Sequence, residues 1–137
     1  VNVSVPRGTR VEIKGAQDLK LLPNIIAYEM QRQQKLLDIQ KSLGRFTLEK
    51  EFIELTYDLE ECPSKIIQDA LDTNASIYGL RLEGFSGFLG KELMPGKRLG
   101  TEFASYAKVA AGVSGLIHSD ELPKYGIEQE HVDAVLK

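Results

Sequence analysis

Met94-Pro95-Gly96-Lys97-Arg98-Leu99-Gly100-Thr101-Glu102-Phe103 reads as a tight turn that hands the chain to a helix. Six of the twelve glycines lie between Gly79 and Gly100, and glycine serves where the backbone needs positive φ or a close approach. Lys97 and Arg98 stand inside that punctuation. Cations on a turn that opens a helix meet phosphate through their side chains and through free backbone N–H groups, which points to an anionic partner. Thr101 is placed to cap the helix, with Glu102 favourable to its dipole, Phe103, Tyr106, Ala107 and Ala110 at helical spacing, and Gly112 as the stop.

Working upstream, Gly84 to Gly100 reads as one long ordered loop, and Tyr78, Leu80 and Leu82 face one way in a strand around Gly79. Asn74 is a candidate left-handed residue ending a helix whose stripe is Ile66, Ile67, Ala70 and Leu71, with Pro63 at its first position. Ile53, Leu55 and Tyr57 alternate with Glu54 and Thr56, the pattern of a half-buried strand. At the start of the chain, Val1 to Val5 and Thr9 to Lys14 alternate around Pro6-Arg7-Gly8, a β-hairpin. From Asp18 to about Leu43 the period becomes helical. Leu22, Ile26, Met30 and Leu37 form its apolar stripe, Asp18 caps a preceding turn, the regular helix starts near Leu22 because Pro23 cannot donate to Leu19, and Gly44 ends it. Downstream of the opening stretch, Leu116-Ile117 reads as a short strand and Val132, Val135 and Leu136 as a last helix. The class is α+β: a mainly antiparallel sheet covered by helices, preceded by a β-hairpin and a long α-helix. The division falls between residues 1–45 and 46–137.

Composition narrows the function. A net charge of −3 and a pI near 5.4 are unlike a strongly basic nucleic-acid binder, so contact with RNA must come from a local patch, and DNA is not an expected partner. The lone Cys62 excludes an internal disulfide and a cysteine-rich zinc site, and suits a reducing, cytoplasmic setting. No run of about 18 apolar residues exists to cross a membrane. A first residue of Val, already in strand-like alternation, reads as a piece of something larger.

Two sets of residues carry a family resemblance. Val1-Asn2-Val3-Ser4-Val5, Gly8-Thr9-Arg10, Val11-Glu12-Ile13-Lys14-Gly15, Tyr28-Glu29 and Arg32-Gln33 resemble the end of the catalytic cradle shared by the B and E subunits of tRNA-dependent amidotransferases. Phe85 to Gly90, Pro95 to Glu102 and His118 to Gly126 resemble the GAD domain that archaeal E subunits share with an insertion in bacterial-type aspartyl-tRNA synthetases. The resemblance assigns 1–45 to the cradle end and 46–137 to the inserted domain. It implies a ligase of protein biosynthesis. With ATP and Mg, such an enzyme activates the glutamate of Glu-tRNA(Gln) as a γ-phosphoryl intermediate, which ammonia from the glutaminase (D) subunit converts to Gln-tRNA(Gln). A second E subunit completes the implied heterotetramer. Most of the kinase site lies upstream in the family, so this stretch alone is expected to be inactive and to bind neither ATP nor Mg.

No catalytic residue and no metal site is assigned. Lys97 and Arg98 are the leading candidates for RNA contact, with Arg81 and Lys91 behind them, against the plain alternative of solvated surface charges. Glu12 could edge the cradle site or simply pair with Arg10 and Lys14. His118, Asp120 and Glu121 lack ligand spacing, and Phe85 and Phe88 are expected to anchor the loop rather than stack on bases. The alternatives to RNA contact are a protein-interaction or spacing module, or the inserted domain of a bacterial-type aspartyl-tRNA synthetase.

Overall fold

Pro6-Arg7-Gly8 reverses the chain in the computed structural model, which describes residues 1–48 and 50–136. Glu49 and Lys137, both within the second expected domain, lie outside the described residues. Arg7 takes φ 66° and the Gly8 N–H donates to Val5 O at 2.9 Å. Strands β1 (Asn2–Val3) and β2 (Val11–Glu12) therefore pair antiparallel, Asn2 opposite Glu12 and Val3 opposite Val11. Helix α1 (Leu22–Leu43) begins after a turn in which Asp18 accepts from the Lys20 N–H, and Gly44 at φ 63° ends it. Both ends are those expected from the sequence.

The buried face of α1 is not the expected stripe. Met30 is exposed, and Glu29, Gln33 and Ile39 are buried. The hairpin presents backbone groups that need partners, and a carboxamide supplies them where a hydrocarbon would not.

Gly84 to Gly100 also differs from a plain loop. Its second half is a β-hairpin, β5 (Glu92–Met94) paired with β6 (Lys97–Arg98) across Pro95-Gly96, with Gly96 at φ 76°. Helix α3 (Leu99–Ala111) follows at once, so Thr101 sits inside the first turn, where its hydroxyl accepts from the Arg98 N–H at 3.4 Å. Gly112, at φ 68°, closes α3 by donating to Lys108 O. These elements, with Val1–Arg45, make one compact unit comprising Val1–Arg45 and Gly87–Leu116. Its buried apolar residues are Val3, Ile39, Leu89, Leu93 and Leu99. Gly87–Leu116 packs with the first 45 residues because β5 lies against α1 and Leu93 is fully buried.

The second unit comprises Phe46–Ser86 and Ile117–Lys137. Strands β3 (Phe52–Glu54) and β4 (Tyr78–Leu80) pair antiparallel, Phe52 opposite Leu80 and Glu54 opposite Tyr78. The expected half-buried alternation fails here: Phe52, Ile53 and Tyr57 are exposed, and only Leu55 is buried. A two-stranded ribbon covers little by itself. Leu55 closes in because Gly79 has no Cβ, which would lie 2.7 Å from Leu55 Cδ1.

Helix α2 (Lys65–Asp72) starts two residues after Pro63, with Ser64 at the cap position rather than Pro63 inside the helix. Gln68 holds the preceding turn by donating to Glu60 O and Cys62 O. Asn74 takes the expected left-handed φ, 55°. Leu55, Leu59, Cys62, Ile67 and Ile127 form the core, flanked by Leu71, Val132 and Val135. Leu116-Ile117 forms no strand among the described residues; the bridge that does form joins Lys124 and Ile127 around Tyr125-Gly126. Helix α4 (Gln129–Val135) opens with the Glu128 N–H donating to His131 Nδ1 at 3.1 Å, and Leu136 is left exposed. The α+β class holds, with the antiparallel pairing spread over three two-stranded ribbons.

Candidate nucleic-acid interface

Glu29, Arg32 and Gln33 share one face of α1 at i, i+3 and i+4. The Gln33 carboxamide clasps the hairpin, accepting from the Val5 N–H at 3.1 Å and donating to Val3 O at 3.2 Å and to Glu29 Oε1 at 2.8 Å. Gly8 leaves room for it, since a Cβ there would lie 2.6 Å from Gln33 Oε1. Arg32 donates from Nη1 to Glu29 at 3.0 Å and grips Glu102 of α3 through both Nε and Nη2, at 2.5 and 3.3 Å. Lys97 Nζ of β6 lies 3.1 Å from the same Glu102 carboxylate. Hairpin, long helix, β6 and α3 are thus tied by one network.

Burial pushes the Glu102 carboxyl up, but the bonds from Arg32 and Lys97 outweigh it and hold the group below its ordinary value. The Glu102 bond likewise raises Arg32 against the opposing effect of burial. The network floors an open groove of about 420 Å³ whose rim includes Val11, Met94, Tyr106 and Val109. Two cations and two carboxylates cancel there, so the groove holds no surplus charge.

The sequence candidates fare differently. Lys97 is only about a third exposed and its ammonium is paired with Glu102. Arg98 is exposed and stands opposite Glu92 across the β5–β6 ribbon. Lys91 is exposed, with Nζ 4.2 Å from the Phe88 ring centroid. With Lys35, Asp38, Ser42 and Glu92 it lines a second groove of about 310 Å³. Lys97 and Arg98 of β6 and Lys91, the residue before β5, are thereby gathered in the first unit, whereas Arg81 belongs to the second unit and pairs with Glu83 at 3.3 Å. Glu12 is exposed, 3.7 Å from Lys14 Nζ.

Phe85 is buried and meets Phe46 edge to face at 5.0 Å, and Cys62 is buried beside Gly126 O. His118 Nε2 lies 3.8 Å from Glu121. Among the described residues no group of three or more His, Cys, Asp or Glu could hold a metal, and no helix is long and apolar enough to cross a membrane. The Glu29–Arg32–Gln33 face escaped the reading of the residues because hydrophobic periodicity counts hydrocarbon. Its signal was the coincidence of three complementary polar groups on one helical face.

An α+β module with short antiparallel ribbons and a basic hairpin opening a helix is the class defined by this arrangement, and the chain belongs to the GAD domain family, which matches residues 67–137. The similarity extends well beyond that match. The chain is 45% identical to the glutamyl-tRNA(Gln) amidotransferase E subunit of Sulfurisphaera tokodaii, covering 100% of this chain and 23% of that protein. It is 47% identical to the E subunit of Methanocaldococcus jannaschii over 96% of this chain and 21% of that protein. For the Methanopyrus kandleri E subunit the identity is 48%, over 98% and 22%. The chain therefore spans between a fifth and a quarter of the length of the curated relatives it matches.

Proposed function

We propose that this chain is a non-catalytic, tRNA-contacting part of an E-type subunit of a tRNA-dependent amidotransferase. The observation that carries the reading is the identity with archaeal E subunits along the whole chain, residues 1–45 included. That extent also favours the amidotransferase over an aspartyl-tRNA synthetase insertion. The parent enzyme would activate the glutamate of Glu-tRNA(Gln) with ATP and Mg and amidate it with ammonia from a glutaminase (D) subunit, two E subunits completing the assembly. A carboxylate accepts ammonia poorly and an acyl phosphate accepts it well, and magnesium would offset the phosphate charge.

Glu12 lies 3.7 Å from Lys14 Nζ, which supports a structural ion pair there. On this reading no reaction step is assigned to this chain, and the chemistry belongs to portions of such subunits that it does not span. Its contribution is to hold the tRNA backbone through Arg98 and Lys91, with Lys97 bracing the ribbon beside them.

The exposed apolar ribbon of Phe52, Ile53, Tyr78 and Leu80 favours a second reading, contact with a partner protein. A fluorescence titration of the chain with archaeal tRNA(Gln) separates the two. RNA contact gives salt-dependent binding that weakens several-fold in Arg98→Ala with Lys91→Ala, two exposed positions whose loss leaves the network whole. Undetectable tRNA binding, with capture of the purified glutaminase partner, would replace it by the protein-contact reading.

A further inference from the structure

Acid and base are unevenly shared between the two units. The unit of Val1–Arg45 and Gly87–Leu116 carries 12 Lys and Arg against 6 Asp and Glu, whereas the unit of Phe46–Ser86 and Ile117–Lys137 carries 5 against 14. Net charges of +6 and −9 thus lie behind the −3 of the whole chain. Burial sharpens the contrast at the surface. Arg32 and Lys97 are paired with the buried Glu29 and Glu102, which leaves 10 exposed cations in the first unit against 4 exposed carboxylates.

We propose that phosphate docking is confined to the basic unit, over a surface that includes Arg10, Lys35, Lys41, Arg45, Lys91 and Arg98, and that the acidic unit is kept off the nucleic-acid backbone by its own charge. This rests on the tRNA-contact reading and says where that contact falls. Packing brings part of the surface together: Lys35 and Lys91 line one groove, and Lys91 O accepts the Leu99 N–H at 3.0 Å, next to Arg98. Asp38 and Glu92 border the same groove, so its cations do not act as a closed pocket. They act through the summed field of the unit, which pulls on many charges of a polyanion at once and on only one of a small anion. Affinity gained this way comes from displaced counterions and scales with the number of phosphates met. A chain with pI near 5.4 can bind a polyanion on these terms, because at physiological salt charges beyond about 8 Å are screened and each region presents its local charge.

The test titrates the 137-residue chain with tRNA and, separately, with heparin at rising NaCl. One variant joins Lys35→Gln, Lys41→Gln, Arg45→Gln and Arg98→Gln; a second joins Lys65→Gln, Arg81→Gln and Lys124→Gln. All seven side chains are exposed, and circular dichroism confirms that both variants fold. The first variant is expected to lose about tenfold or more in affinity at roughly 100 mM NaCl, with the slope of log K against log salt shallower by roughly 2 to 4. The second stays within about twofold of the parent. An equal or larger loss in the second variant, or binding that ignores salt, overturns the inference even if tRNA is bound. Heparin binding lost only in the first variant, with no tRNA binding, upholds the basic surface and sinks the tRNA reading.

Discussion

Arg32 joins helix to helix by satisfying two carboxylates at once, Glu29 one turn back on α1 and Glu102 on α3. Removing it leaves Glu29 with the Gln33 carboxamide alone and Glu102 with Lys97 alone, so Arg32→Ala is expected to cost about 1–3 kcal/mol in a urea unfolding curve. Arg32→Lys keeps the charge but not the fork and should recover only part of the loss. Glu102 adds a pH signature. Its carboxyl is held below the ordinary value near 4.5 in the folded chain, so its contribution is complete above that value and drains away as pH falls through the folded one. Stability measured from about pH 6 down to about 3 should therefore decline, and the decline should be shallower in Glu102→Gln. At this scale the sequence displayed Glu29, Arg32 and Gln33 as a spaced trio but not their burial. Burial of polar groups follows from distant partners, 70 residues apart in the case of Arg32 and Glu102, and local periodicity carries no information about them.

Among elements, the turns were the most legible and the strands the least. Gly44, Asn74, Gly96 and Gly112 adopt positive φ where the chain was expected to stop or reverse, since that backbone region is a property of the residue itself. Two glycines with the same φ requirement separate strain from crowding. Gly112, at φ 68°, has open space where a Cβ would be, whereas a Cβ on Gly126, at φ 78°, would lie 3.1 Å from Ser64 Cα. Gly112→Ala is expected to cost about 1 kcal/mol and Gly126→Ala about 2–3 kcal/mol, because in the second case backbone must also move; thermal unfolding of the two variants gives the order. The alternation of Ile53, Leu55 and Tyr57 misled because a strand buries a face only if something covers it, and Tyr57 is 83% exposed. The Lys97–Arg98 ribbon shows the reverse: glycine and proline announced the turn, while the pairing of β5 with β6 that fixes it needed the packing of β5 against α1.

For the molecule as a whole, charge is divided as sharply as structure. Fourteen acids against five bases in the second unit repel one another, and salt relieves that cost. Raising NaCl from about 50 to about 500 mM should slow hydrogen exchange in α2 and α4, with a smaller change around Arg32 and Glu102, whose part-buried pair is less screened. The α+β class, the hairpin, the long helix with both its ends and the family likeness were all present in residue order, since they depend on turn chemistry, period and motif. Only the tertiary structure decided that Gly87–Leu116 packs with the first 45 residues, that Lys97 is engaged by Glu102 while Arg98 stays exposed, and that basic and acidic surfaces fall in different units. Those outcomes depend on which distant side chains meet. Contact energies between segments far apart in the chain settle that, and no local window of sequence contains them.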